Sequence, residues 1–245
     1  MTGPAPALEA PPAALGLHPR QRLTGGHRNA VWLCDGPDGA VVAKCTRRTE
    51  QQLRWLAPLH SAARAAGFHL PSLRPDSSGQ LLQQGWTVEA WVEGPAPPTD
   101  MQALAPRIRA FHTSCPPLPQ RPGFARLSDL LTQSTSGDVD LTALPADILR
   151  RLRRTWAAVA DTPAQAIHGD LGPANLILTA NGPCLLDWDE ARVDLSFLDF
   201  IHAADQTSAA KAAHLAWEIA SCWQAEPEHA QSLLARFCLP GNTGR

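Results

Sequence analysis

No stretch of the 245 residues comes near the ~20 consecutive apolar positions that a membrane-spanning helix requires. The N-terminus also lacks the charged-then-apolar layout of a secretory leader, so a cytoplasmic location is expected and a membrane partner is not. Positive charge is in no excess: 21 Lys and Arg stand against 23 Asp and Glu, a formal net charge of −2. A general nucleic-acid binder needs a basic face to displace counterions, so nucleic acid is not an expected partner. Six cysteines, Cys34, Cys45, Cys115, Cys184, Cys222 and Cys238, include no Cys-x-x-Cys pair and no histidine at metal-ligand spacing. They read as isolated thiols rather than as a zinc or redox centre. Tyrosine is absent while Ala and Pro abound, a compositional bias without functional content, and no internal repeat is visible.

What is present is 44% apolar residues, enough to bury a core in one large domain or two small lobes. Residues 1–19 are rich in Ala and Pro and are expected to form a mobile tail, with a short ordered piece near Leu15 and Leu17. From Leu23, two β-rich runs flank Asp35-Gly-Pro-Asp-Gly39 and predict an antiparallel hairpin. Residues 50–66 carry Leu53, Leu56, Leu59 and Ala63 at helical spacing, with Pro58 expected to kink or divide the helix and Gly67 to stop it. A short strand near Leu81 and Leu82 and a second over 86–92 follow. Beyond Glu93-Gly94-Pro95 the composition turns Pro-rich, which suggests a boundary: 20–94 as one lobe and 95–245 as another. Helices are expected over 100–112, 145–160, 205–225 and 227–237. Arg150, Arg151, Arg153 and Arg154 fit a solvated helix face better than an anion site.

The most specific stretch is 167–200. It sets Asp170, Asn175 and Asp187 at fixed spacing around a short apolar run. Phosphoryl transfer asks a protein for alignment and charge neutralisation. Asp170, in a loop entered from an apolar strand, can accept the hydrogen bond of a substrate hydroxyl. The Asn175 amide oxygen and the Asp187 carboxylate are hard donors that suit magnesium. The set predicts a phosphotransferase using a magnesium nucleotide.

Other residues are compatible with that chemistry. Gly25 and Gly26 allow the backbone to approach a phosphate, or simply make a strand-entry turn. Lys44 ends Val41-Val-Ala-Lys44 and reads equally as a phosphate-contacting lysine or a surface strand end. Between Cys45 and Val88 the only acids are Glu50 and Asp76, and Asp76 lies in a Pro/Ser/Gly loop. Glu50 is therefore the candidate partner for Lys44, although the helix dipole alone favours an acid in a first turn.

His168-Gly169-Asp170, Asn175 and Asp187-Trp188-Asp189 together resemble the aminoglycoside phosphotransferase and choline kinase superfamily of small-molecule kinases. The resemblance extends more loosely over Lys44, Glu50, residues 89–94, Ala110-Phe111-His112 and Asp199. It implies an α+β, protein-kinase-like two-lobe fold: a small N-terminal antiparallel β lobe with one main helix, and a larger, mostly helical C-terminal lobe. By the same resemblance Asp170 is catalytic, Asn175 and Asp187 hold magnesium, and Lys44 contacts the phosphates with Glu50 positioning it. The backbone of Glu89, Ala90, Trp91 and Val92 would pair with the base of ATP, with GTP also compatible. His168 shapes the catalytic loop, and Asp189 braces it or approaches a second metal. Gly172 departs from the histidine many members carry there.

The expected activity is transfer to a hydroxyl of a small molecule such as an antibiotic, amino alcohol, amino acid or sugar-like metabolite. A nucleotide-binding regulator without transfer activity is the alternative, opposed by the joint presence of Lys44, Asp170, Asn175 and Asp187. Glu218, Glu226 and Glu228 are among the few acids available to a cationic acceptor. Trp217 and Trp223 suit a core at least as well as a cation-binding face.

Overall fold

The computed structural model of the chain describes residues 10–23, 29–95, 101–200 and 206–238. Gly25, Gly26, residues 1–9 of the expected tail and the end of the chain from 239 lie outside those residues.

Strands β1 (His18–Leu23), β2 (Val31–Gly36), β3 (Gly39–Cys45) and β4 (Trp86–Ala90) form one antiparallel sheet in that order. The predicted hairpin is β2–β3, closed where Gly36 pairs with Gly39. Side chains alternate across a strand. Val41 and Ala43 therefore join Cys34, Trp86 and Val88 in a small core on one face. Val42 and Lys44 fall on the other face, paired with Glu89 and Thr87 of β4. One boundary moves: β1 pairs from His18 onward, so the sheet begins before residue 20. Pro19 is accommodated because β1 is an edge strand and gives up no central ladder bond. Leu15 and Leu17 pack against the core as expected.

The helix predicted over 50–66 is divided into α1 (Glu50–Arg54) and α2 (Ala57–Ala65), with Pro58 in the first turn of α2. That is the position where a missing N–H costs no hydrogen bond. Thr49 and Gln52 close a capping box at the start of α1. Gly67, at φ 86°, ends α2 in the left-handed region. The short strand expected at Leu81 and Leu82 does not form: both N–H groups donate to the Glu50 carboxylate, and only the neighbouring Gln83 makes an isolated bridge, to Trp86.

The rest of the chain is α3 (Ala105–Ser114), α4 (Leu127–Leu130), the two-residue strands β5 (Thr135–Ser136) and β6 (Val139–Asp140), and α5 (Ala146–Ala157). Then come β7 (Ala164–Ile167), β8 (Leu176–Thr179), β9 (Gly182–Leu185), β10 (Arg192–Leu195), α6 (Ser208–Cys222) and α7 (Pro227–Phe237). Strands β8 and β9 form a hairpin, and β7 pairs with β10. A large core of Leu127, Leu152, Trp156, Trp217, Ile219 and Phe237 unites α4 to α7. A second core joins Leu59 and Ala63 of α2, Ile108 and Phe111 of α3, and Leu171, Leu176 and Leu185 around the β8–β9 hairpin. Helix α2 is thus packed against the segment 167–200. The result is a protein-kinase-like α+β fold, a small antiparallel sheet followed by a mostly helical part. Among the described residues no helix is long and apolar enough to cross a membrane. All six cysteines are free thiols.

Candidate active site

Strand β7 delivers His168, Gly169 and Asp170 to the mouth of the cleft. Gly169 sits at φ 84°, and a Cβ there would collide with the carbonyl of Glu190, so the chain passes only as glycine. Asp199, 2% exposed, accepts hydrogen bonds from the N–H groups of His168 and Gly169, each at 2.8 Å, and from His112 Nε2 at 2.8 Å. Burial pushes the Asp199 carboxyl up, but the His112 bond and charge and the donors around it outweigh burial and hold it below its usual range. His168 continues the network, with Nε2 donating to the Leu186 carbonyl at 2.9 Å while Nδ1 accepts from the Asp170 N–H at 3.4 Å. One imidazole therefore ties the Asp170 loop to Leu186, between the end of β9 and Asp187.

Asn175 lies one turn beyond Asp170 and donates from Nδ2 to both the Asp170 carbonyl and Oδ2, each at 2.8 Å. This leaves Asp170 Oδ1 for a substrate hydroxyl and Asn175 Oδ1 for a cation. Asp187 has φ 53°, an uncommon left-handed conformation for a residue with a side chain, and it caps the short turn 188–190. Arg121, fully buried, holds that turn by donating to the carbonyls of Trp188, Asp189 and Ala191. Burial and nearby Arg48 bring the Arg121 pKa down to about 10, so it stays charged at neutral pH. Nothing in the spacing of the sequence singles out Arg121. Its partners lie about 70 residues away, and only the fold brings them together.

Lys44 reaches the same place from β3. Its Nζ lies 2.6 Å from Asp187 Oδ1 and 3.0 Å from Asp189 Oδ2. Burial disfavours the ammonium, but Asp189 and Asp187 more than offset it and raise its pKa. Asp187 moves the opposite way: burial pushes its carboxyl up and Lys44 pulls it below the usual range. The structure corrects the expectation for Glu50. Its carboxylate accepts from the Leu81 and Leu82 N–H groups and pairs with Arg54 at 2.7 Å, so it caps a loop and does not hold Lys44. Asn29, which belongs to no motif, donates to Asp189 Oδ2 at 2.9 Å.

Two cavities meet at this point. One, of about 290 Å³, lies between Leu23, Val31 and Val42 of the sheet and Ile177 and Leu186 below, with Glu89, Ala90, Trp91 and Val92 along its edge. The other, of about 300 Å³, holds Asp170, Asp189 and Glu190 and is walled by Trp217 and Glu218 of α6 and His229 of α7. Lys44, Asn175 and Asp187 line both. The structure thus gathers Lys44, residues 89–92, Asp170, Asn175, Asp187 and Asp189, and leaves Glu50 outside. Among the described residues no three His, Cys, Asp or Glu side chains converge as a ready-made metal cage. Asn175 Oδ1 and Asp187 nevertheless fit magnesium, which takes one or two protein ligands and completes its shell with water and phosphate oxygens.

A family model described as the phosphotransferase enzyme family matches residues 20–231. No curated protein matches. Solved structures do, at low identity. A choline/ethanolamine kinase family protein from Mesorhizobium loti is 17% identical with a TM-score of 0.54, over 96% of this chain and 90% of that one. An amicoumacin kinase solved with AMP-PNP and calcium is 14% identical with a TM-score of 0.58, over 91% of this chain and 73% of that one. Plasmodium vivax ethanolamine kinase is 12% identical with a TM-score of 0.57, over 94% and 83%. At such identities the likeness speaks for the fold, and the match over residues 20–231 for the family.

Proposed function

The chain belongs to the phosphotransferase enzyme family, and on that premise we propose that it transfers the γ-phosphoryl group of ATP, with magnesium, to a hydroxyl of a small molecule. One observation carries this reading: an apolar cavity and a polar one meet at Lys44, Asn175 and Asp187, with Asp170 on the polar side. A flat base fits between the aliphatic side chains of the first, edge-on to the backbone of residues 89–92. The phosphates then extend toward Lys44, and the acceptor occupies the second cavity.

Asn175 and Asp187 would hold magnesium, which would neutralise phosphate charge. Asp170 Oδ1 accepts the hydrogen bond of the acceptor hydroxyl, orients its oxygen and takes its proton as the new P–O bond forms and the bond from the γ-phosphorus to the bridging oxygen breaks, with ADP leaving. Asn175 fixes Oδ2 of the same carboxylate so that the free oxygen keeps its direction. His168, Asp199 and His112 brace the loop from behind.

The acceptor wall favours a hydroxyl compound that also carries an amine. Burial and then the Asp170 charge raise the Glu218 carboxyl, so a cation placed beside it favours its charged form. Trp217 is committed elsewhere, with the Arg192 guanidinium 4.2 Å over its ring and only 6% of its surface exposed. It serves as a wall of the cavity rather than as an open face for a quaternary amine.

The test is incubation with magnesium ATP and a panel of amino alcohols, amino acids, sugars and antibiotics, read by phosphorus NMR. Phosphorylation of a hydroxylated amine is expected. ATP binding with no acceptor phosphorylated would favour the regulatory alternative.

A further inference from the structure

Lys44 sits on Asp187 and Asp189, and Asp187 is a group that a bound cation would claim. A divalent cation on Asp187 draws charge from the carboxylate that also holds Lys44 and repels the ammonium beside it, so metal binding weakens the Lys44–Asp187 contact. A buried ammonium released from its partners is costly unless another anion receives it. Nucleotide phosphate supplies one such contact, while Glu50 is tied to Arg54 and to two backbone N–H groups.

Glu89 is placed to receive it. It pairs with Val42 across β3–β4, two residues from Lys44 on the same face of the sheet. Such diagonal neighbours lie within reach of long side chains. Both residues line the apolar cavity. Among the described residues the Glu89 side chain makes no ion pair or hydrogen bond. An acid without a partner in an aliphatic-walled cavity needs a function, since burial, helped by the Asp187 and Asp189 charges, pushes its carboxyl up to about 7 against the pull of Lys44.

We propose that Glu89 is the positioning residue for Lys44 in the metal-loaded state: when a divalent cation takes Asp187, the ammonium swings from Asp187 and Asp189 to Glu89 and is held there against the nucleotide phosphates. The inference rests on the kinase reading above. It puts on the neighbouring strand the acid that the sequence suggested would come from the helix.

The experiment measures binding of ADP by calorimetry, with and without Mn²⁺ as the metal probe, for the wild type, Glu89→Gln, Lys44→Met and the double variant. Glu89→Gln is expected to weaken Mn²⁺·ADP about tenfold, the scale of one charge-assisted hydrogen bond, and metal-free ADP by less than about twofold. In the Lys44→Met background the same change should cost less than about twofold, because the lysine that Glu89 serves is gone. Glu89→Met, matched to the aliphatic lining, should repeat the pattern and covers the case in which the glutamine variant folds poorly. An equal loss in the Lys44→Met background would overturn the proposal, as would a changed preference between ADP and GDP, which would make Glu89 a reader of the base. If wild type binds Mn²⁺·ADP and Glu89→Gln binds it as tightly, only the role of Glu89 falls. If wild type binds neither Mn²⁺ nor ADP, the kinase reading falls with it.

Discussion

The segment 167–200 and the wall formed by α6 and α7 face each other across the polar cavity and are built by different means. The first is held by buried polar contacts: Asp199 to two N–H groups and His112, His168 to Leu186, and Arg121 to three carbonyls. The second is held mainly by apolar packing of Ala213, Ala216, Ile219, Ala220, Leu233 and Phe237, and presents Glu218 and His229 to the cavity. Directional bonds fix atoms to within a fraction of an ångström, as phosphoryl transfer requires. Apolar packing fixes a surface and tolerates exchange of side chains upon it. The proposed function accordingly assigns the chemistry to the rigid segment and the choice of acceptor to the packed wall. Arg192 over the Trp217 ring joins the two.

The largest expected effect falls on the rigid side. Asp170→Asn should lower kcat roughly a thousandfold while ATP affinity stays within about twofold, measured by steady-state kinetics and calorimetry. Retained turnover would remove Asp170 from the chemistry. Asp199→Asn comes next, with a loss of about 3 kcal/mol in denaturant unfolding, because a buried carboxylate that accepts from His112 and two backbone N–H groups is replaced by an amide that cannot accept all three. Its pH signature has a definite sign. A carboxyl depressed in the folded protein contributes stability above its unfolded pKa of about 3.9 and loses it as pH falls through the lower folded value. The wild type should therefore lose this contribution as pH drops below about 4, and Asp199→Asn should lack that part of the acid dependence.

Changes on the acceptor wall should act on binding and not on turnover. Glu218→Gln is expected to raise the KM of an amine-bearing acceptor about fivefold with kcat unchanged, the scale of one partly exposed ion pair. A fall in kcat with KM intact would place Glu218 with the rigid segment and break the comparison. The smallest effect belongs to Glu50→Gln. It should cost about 1 kcal/mol of stability through weakened loop contacts and leave turnover within about twofold. A large loss of turnover would return Glu50 to the role suggested by its place in the sequence.

Much of the rigid segment was legible before any coordinates. Asp170 and Asn175 are five residues apart, and a hairpin of two short strands brings Asp187 back beside them, so local geometry suffices to assemble the three. Helices α5 and α7 follow their apolar periodicity, and Pro58 divides its helix as expected. The lysine partner was misplaced because a first-turn acid in a helix looks the same whether it serves a lysine or caps a loop. Arg121 was missed because an arginine in a proline-dense connector has no local pattern that distinguishes a buried clamp from a surface charge.

The sequence by itself determined the phosphate chemistry, since it depends on a few polar side chains whose spacing is set by a turn and a hairpin. Only the tertiary structure decided which acid faces Lys44, what clamps the turn after Asp187 and which side chains wall the acceptor cavity. Lys44 and Asp187 stand 143 residues apart, and His112 and Asp199 stand 87 apart. Contacts over such separations exist only where burial of the two large cores brings the elements together, and no local propensity encodes them.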